Sequence, residues 1–386
     1  PEKAAVRIVM FTDYQCPDCF KIEQELKALM DATPNLSVGI KYFPLSTGCN
    51  PQMNGQNLHP NACWAARAAE TAGMLRGNDG FWEMHHALFA RKGSFTDAEL
   101  ATLLASLGYD RAPFEKIMQG SETAARVKAD VDEGISLGLY FTPMIFINGI
   151  ELKGWNAPNA LTRAVQAVLA ANPSPAAPEV DLPPDARARY FADWREQPVM
   201  SIPAAVMRHT LGPADAAVTV VLFGDLAEKN TQEADGVLRL FTQGAKPNIR
   251  YTFAHFPVNK ECNPSTQMAT SAQGCTAARA VEAAEALGGP EAYWIVHNYV
   301  MSHLGELDEA HLRDAAAEAG LPPNDFLDAM KQPFVSDAIA ADGRAAISLG
   351  IKSIPMIFIA GKLVPRWKLN NENLLVGMIY DAAEQP

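Results

Sequence analysis

Positive charge is in short supply. Thirty-two Lys and Arg face 44 Asp and Glu, a formal charge of −12. That field repels phosphates, which excludes a general basic nucleic-acid binder. Long apolar runs are also missing; no stretch nears the roughly 18 residues of a membrane-spanning helix. No signal peptide is visible and the first residue is Pro1, not Met. The chain is therefore expected to be a processed or truncated piece of something longer. Proline, 27 of 386 residues, is only slightly above average, which excludes a wholly disordered chain. What remains is ordinary globular material, 48% hydrophobic and 20% charged, long enough for two or three domains at roughly 150 residues each. Cysteine is scarce. The six present are Cys16, Cys19, Cys49, Cys63, Cys262 and Cys275, and their spacing is the most informative feature.

The chain repeats itself at an offset near 212. Val6-Arg7-Ile8-Val9-Met10-Phe11 matches Val218-Thr219-Val220-Val221-Leu222-Phe223, and Phe43-Pro44 matches Phe256-Pro257. Cys49-Asn50-Pro51 matches Cys262-Asn263-Pro264, and Cys63 matches Cys275, each followed shortly by Ala-Ala-Arg-Ala. Trp82 and His85 match Trp294 and His297; Thr142-Pro143-Met144-Ile145-Phe146-Ile147 matches Ile354-Pro355-Met356-Ile357-Phe358-Ile359; Trp155 matches Trp367. An internal repeat of this kind means one structural unit used twice. Pro1 aligns with Pro213, so the first copy is expected to begin partway through a segment that the second has in full.

Each unit has a readable order. Residues 5–12 form a short apolar run, 18–31 carry a helical stripe (Ile22, Leu26, Leu29, Met30), and 36–43 alternate. Strand, helix, strand at this length is a βαβ unit with a parallel pair. Helices are expected at 62–76, 79–91, 97–107, 111–119 and 121–137. A hairpin joined by Asn148-Gly149 follows at 143–148 and 150–153, then a helix at 158–171. The fold class is α/β: two tandem units, 1–172 and 212–386, each a small mixed sheet with a helical insertion. Between them, Asn172-Pro173-Ser174-Pro175-Ala176-Ala177-Pro178 and Pro183-Pro184 make 173–211 a stiff linker with a short helical segment around Tyr190, Phe191 and Trp194.

Cys16-Pro17-Asp18-Cys19 opens a helix directly after a strand, a redox signature inside a βαβ pattern. Cys16 at the helix N-terminus meets unpaired N–H groups and the positive end of the helix dipole, which favour a thiolate. The thiolate is the species that attacks a disulfide. Cys19, one turn on, faces the same side and can resolve a mixed disulfide, and Pro17 suits the first turn, where a missing N–H costs nothing. The anionic Asp18 is expected to oppose the Cys16 thiolate and so to make the pair less oxidising than the strongest oxidants of its kind. A four-cysteine zinc site is the competing reading. The second copy argues against it, because it keeps Cys262 and Cys275 but has Glu228 and Thr231 where Cys16 and Cys19 stand.

Phe11-Thr12-Asp13-Tyr14-Gln15-Cys16-Pro17-Asp18-Cys19, the helical insertion and Thr142-Pro143 resemble the DsbA-like class of thioredoxin-fold disulfide oxidoreductases. The resemblance covers nearly the whole chain as two tandem domains. It implies a cis Pro143 facing the cysteines, with Thr142 and Pro143 holding the substrate backbone, no cofactor, and substrate proteins bearing thiols or disulfides. It points to disulfide formation; reduction, isomerisation and a peptide-binding, chaperone-like role stand as alternatives. A second resemblance, over Phe43-Pro44, Cys49-Asn50-Pro51 and His59-Pro60-Asn61-Ala62-Cys63, is to DsbA-like domains fused to vitamin K epoxide reductase-type membrane proteins. It implies a membrane quinone-linked oxidase as partner. The second domain cannot do dithiol chemistry; binding, dimerising or positioning is one reading of it, an architectural relic the other.

The repeated unit makes Cys49–Cys63 and Cys262–Cys275 structural disulfides, each closing a loop worth roughly 3 kcal/mol in the chain-entropy model. A redox relay to Cys16 is the alternative for the first pair, disfavoured because the copy without a dithiol keeps its pair. Two structural disulfides imply the periplasm or another extracytoplasmic compartment. No metal is expected: His85-His86 beside Trp82 reads as packing or capping, and His59 near Cys49 and Cys63 is discounted because Ser271 stands at its place in the second copy. Asp13 and Asp225 read first as turn formers, with a proton shuttle at Asp13 as the alternative. Trp155 and Trp367 read as packing, and Met144 and Met356 equally as strand packing or groove contacts.

Overall fold

The structure is a computed structural model that describes residues 3–91, 96–244, 247–271 and 273–384. The chain divides into two units, Pro1–Ala188 and Arg189–Pro386.

The first unit runs β1 (Val6–Thr12), α1 (Pro17–Ala32), β2 (Leu36–Tyr42), α2 (Ala62–Ala90), α3 (Asp97–Ser106), α4 (Arg111–Met118), α5 (Ser121–Ser136), β3 (Met144–Ile147), β4 (Ile150–Glu151) and α6 (Ala160–Ala170). The sheet order is β2-β1-β3-β4. β1 pairs in parallel with β2 (Val6 opposite Leu36) and antiparallel with β3 (Ile8 opposite Ile147). All seven residues of β1 are buried, which is why its apolar residues run consecutively from Ile8 to Phe11 rather than alternating. Ile8 and Met10 pack with Ile22, Leu26 and Leu161 on one face; Val9 and Phe11 pack with Val131 and Phe146 on the other. The β3–β4 hairpin turns on Asn148 (φ 48°) and Gly149 (φ 79°), the left-handed pair that a two-residue hairpin needs. The two helices expected at 62–76 and 79–91 are both present within the span α2, separated by non-helical backbone at Arg76 and Gly77. The Thr142–Pro143 peptide is cis.

The second unit runs α7 (Ala186–Arg195, begun at the end of the first), β5 (Thr210–Leu211), β6 (Val218–Gly224), α8 (Lys229–Thr242), β7 (Ile249–His255), α9 (Gly274–Ser302), α10 (Glu309–Glu318), α11 (Pro323–Ala329), α12 (Pro333–Ser348), β8 (Met356–Ile359), β9 (Lys362–Leu363), a small hairpin of β10 (Lys368–Leu369) and β11 (Glu372–Asn373), and α13 (Leu375–Glu384). Its sheet, β5-β7-β6-β8-β9, repeats the first with one strand added. The Ile354–Pro355 peptide is also cis, and α9 is broken at Gly289 as α2 is at Gly77.

The segment 173–211 contains the expected short helix, as α7, and is packed along its length. Its start belongs to the first unit: Ala176 N–H donates to the Ala4 carbonyl at 2.9 Å, and Asp181 pairs with Arg7 at 2.5 Å. Its remainder belongs to the second. There β5 pairs with β7, Met200 N–H donates to the Gly361 carbonyl at 2.8 Å, and Tyr190 and Trp194 are buried. His209, wholly buried, meets Glu282 at 2.8 Å, and Arg208 spans Glu282 and Asp342 at 3.2 and 2.9 Å. Proline density marks the stretch before α7 as lacking α-helix and strand, but it does not say what that stretch packs against.

Candidate active site

Cys16 is the N-cap of α1, with extended backbone (φ −77°, ψ 120°) and Pro17 at the first helical position. Its N–H donates to the Asp13 carbonyl at 3.1 Å and its carbonyl accepts from Phe20 N–H at 3.1 Å, so the thiol is fixed where strand gives way to helix. Cys16 and Cys19 are both free thiols, 6% and 0% exposed. Cys16 Sγ lies 3.5 Å from the Thr142 carbonyl, the residue before the cis proline. One site thus gathers Cys16, Cys19, Thr142 and Pro143 from segments 126 residues apart.

The two sulfurs are made unlike by their surroundings. The Cys16 pKa comes down from an ordinary 9.0 to about 6: the Cys19 thiol hydrogen-bonds to it, outweighing the opposing effect of burial, and Thr142 and the backbone N–H groups of Cys19 and Asp18 add to the lowering. Cys19 goes well above the ordinary value, pushed by burial and then by the neighbouring Cys16. One cysteine is held as an anion and the other as its proton-bearing partner. The expected opposition from Asp18 is not what the structure shows. Its carboxylate pairs with Lys21 at 2.7 Å, while its backbone N–H favours the Cys16 thiolate.

Asp13 is a tie rather than a free acid. Its Oδ1 accepts from Gln15 N–H at 2.7 Å; its Oδ2 accepts from Leu45 N–H at 2.7 Å and meets His59 Nδ1 at 2.8 Å. Asp225 repeats the pattern with Ala227 and Val258 N–H at 2.9 and 2.8 Å. His59 is therefore bound to Asp13 beside the thiolate, and the Asp13 hydrogen bond, against burial and with help from the charges of Asp13 and Cys16, raises its pKa. Sequence reading placed His59 near Cys49 and Cys63 and missed this partner, which comes from the end of β1.

Cys49 and Cys63 are bonded (S–S 2.09 Å), as are Cys262 and Cys275 (2.02 Å). Trp155 packs on the sheet face that holds Ile8 and Leu26, Met144 on the opposite face, and Met356 in the core of the second unit. His85 and His86 converge on Glu23 of α1, each at 3.0 Å, and Tyr14 Oη meets His85 Nδ1 at 2.8 Å. Sequence analysis passed over Glu23. Its signal was an acidic residue inside the apolar stripe of α1, one turn after Cys19.

In the second unit, Glu228 caps α8: its carboxylate accepts from the N–H groups of Asn230 and Thr231 at 2.9 and 2.7 Å. An anion thus sits at the head of each helix, sulfur in one unit and carboxylate in the other.

The family described as DSBA-like thioredoxin domain matches residues 7–166 and 228–373, one stretch in each unit. Among curated proteins, the Na(+)/H(+) antiporter NhaA 1 of Salinispora arenicola is 31% identical over 170 residues, which are 44% of this chain and 24% of the antiporter. NhaA 1 of Mycolicibacterium vanbaalenii is 31% identical over 170 residues, 42% of this chain and 25% of that one. The chain spans about a quarter of the length of these relatives. Among solved structures, oxidised BdbD from Bacillus subtilis is 17% identical with a TM-score of 0.39, covering 49% of this chain and 99% of that one. DsbA2 from Pseudomonas aeruginosa is 25% identical with a TM-score of 0.34, covering 43% and 90%. No helix among the described residues is long and apolar enough to cross a membrane. The chain therefore belongs to the DSBA-like thioredoxin domain family, a family of thiol–disulfide oxidoreductases, and carries its domain twice but its dithiol once.

Proposed function

We propose that the first unit oxidises thiols of extracytoplasmic proteins to disulfides. The observation that carries this reading is the Cys16 pKa of about 6 beside a Cys19 held far above it. A stabilised thiolate stabilises the reduced pair, and a stable reduced pair makes its disulfide a stronger oxidant. A substrate thiolate attacks Cys16 of the Cys16–Cys19 disulfide; the bond between the two cysteines breaks and Cys19 leaves, taking up a proton. A second substrate thiolate then attacks the substrate sulfur of the mixed disulfide. The substrate leaves with a disulfide, and Cys16 leaves as the thiolate its site favours. Thr142 and cis Pro143 present backbone beside Cys16 for the substrate chain. A membrane quinone-linked oxidase takes the two electrons in turn, as the family resemblance implies. The two bonded cysteine pairs away from the dithiol support an oxidising compartment.

The test is oxidation of a reduced two-cysteine peptide by the oxidised chain, with the dithiol potential measured against glutathione. Oxidation is expected with the full chain and lost in Cys16→Ser. A potential near thioredoxin's, about −270 mV, would overturn the oxidising direction. Undiminished biological activity in Cys16→Ser would instead favour a binding role.

A further inference from the structure

The two units differ at a second place, deep between the first long helix and the broken one. In the second unit, Asp235 of α8 lies 3.1 Å from His297 Nε2 and 2.7 Å from Arg239 Nε. The same guanidinium donates to Asn298 Oδ1. A built-in cation therefore bridges the acid of one helix and the side chain of the other. By the repeat, Glu23 stands for Asp235, His85 for His297 and His86 for Asn298. Lys27 stands for Arg239, but it is exposed, and the ion-pair partners of Glu23 are His85 and His86. An imidazole has replaced the amide, and it meets the carboxylate directly.

From this exchange we infer that Glu23, His85 and His86 form a binding site for a divalent transition-metal ion of the zinc type, clamping α1 to α2. The donor set is two imidazoles and a carboxylate, which suits zinc. Glu23 Oε2 lies 3.0 Å from His85 Nε2, and Glu23 Oε1 lies 3.0 Å from His86 Nδ1. Tetrahedral ligands at the usual zinc distances of about 2.0–2.1 Å would lie roughly 3.3 Å apart, close to both of these carboxylate–imidazole separations. All three ligand atoms fall within 4.8 Å of one another.

Supporting groups are in place. When His85 Nδ1 donates to the Tyr14 hydroxyl, 2.8 Å away, its Nε2 turns a lone pair to the site, and such an outer partner is what orients ligating imidazoles. Trp82 packs against both rings, with centroids 5.1 and 5.7 Å away. Glu23 and His85 are buried but the His86 side chain is 32% exposed, leaving a way in for the ion and room for water as fourth ligand. Glu23 follows Cys19 by one helical turn, so an ion here would hold the helix that presents the dithiol.

The experiment is titration of the oxidised full chain with Zn²⁺ alone. All six cysteines are then in disulfides and cannot compete, and the readout does not depend on disulfide exchange. One saturable equivalent is expected, with Co²⁺ substituting and giving tetrahedral d–d absorption. Glu23→Gln and His86→Asn should each weaken binding by at least about tenfold. His86→Asn installs the second unit's own residue at a half-exposed position, which keeps the test valid if the buried Glu23→Gln variant folds poorly. No uptake by the oxidised chain, or uptake unchanged in His86→Asn, would overturn the assignment.

Discussion

The Thr231 hydroxyl donates to the Glu228 carboxylate at 2.9 Å, across the positions that Cys19 and Cys16 hold in the other unit. The second unit has lost the dithiol but kept its electrostatic form: an anion at the helix head and a hydrogen-bond donor one turn later. Returning cysteine to both places should therefore restore a reactive pair. Glu228→Cys with Thr231→Cys is expected to form an internal disulfide under mild oxidants, read as the loss of two titratable thiols. Glu228→Ala alone should cost the second unit about 1 kcal/mol in urea unfolding, as loss of a helix cap does.

Reactivity at Cys16 should follow pH through its own site. With its pKa at about 6, alkylation of the reduced chain is expected to be half-maximal near pH 6 and flat above pH 7. The linked stability runs the same way. A lowered pKa favours the reduced fold fully above the ordinary value of 9.0, and the contribution is lost as pH falls through about 6. Urea midpoints of the reduced chain at several pH values check the second statement, iodoacetamide rates the first.

His59 should tune that thiolate from outside the helix. It is held on Asp13 at 2.8 Å, with the Cys16 charge among the influences that raise its pKa, and the influence is reciprocal. His59→Ser, which copies Ser271 of the second unit, is expected to raise the Cys16 pKa and slow alkylation at pH 6 more than at pH 8. Equal slowing at both would indicate displaced geometry instead.

Glu282 should be the electrostatic keystone of the second unit. It meets buried His209 at 2.8 Å and Arg208 at 3.2 Å. Glu282→Gln takes one of two carboxylates from each cation, leaving Asp342 to Arg208 and Glu285 to His209, and is expected to lower stability, by about 1–3 kcal/mol, measured by urea unfolding. Burial works against ionised Glu282, yet its hydrogen bond from His209 and the nearby cations bring its pKa down to about 2. Its contribution is present above the ordinary 4.5 and lost as pH falls through about 2. The His209 pKa, lowered by burial but raised on balance by Glu282 and Glu285, sits above 6.5. That part of the stability is full below 6.5 and fades as pH rises through the raised value, so the gap between wild type and Glu282→Gln should narrow at alkaline pH.

Most of the architecture was legible because it is written locally. The apolar run of β1, the helical stripe of α1, Asn148-Gly149 and Cys16-Pro17-Asp18-Cys19 each express a preference within one turn or one strand pair, and the repeat displayed each unit's order twice. The same comparison exposed the missing dithiol and the recurring Cys49–Cys63 and Cys262–Cys275 pairs. Periodicity shows which face of an element is buried, but not what it meets. Only packing across the chain could bring Glu23 to His85 and His86, 62 and 63 residues away, or His59 to Asp13, 46 residues away. Packing likewise divided the proline-rich segment between the two units. The charge state of a group depends on its burial and on its neighbours in space, and those are properties of the folded chain.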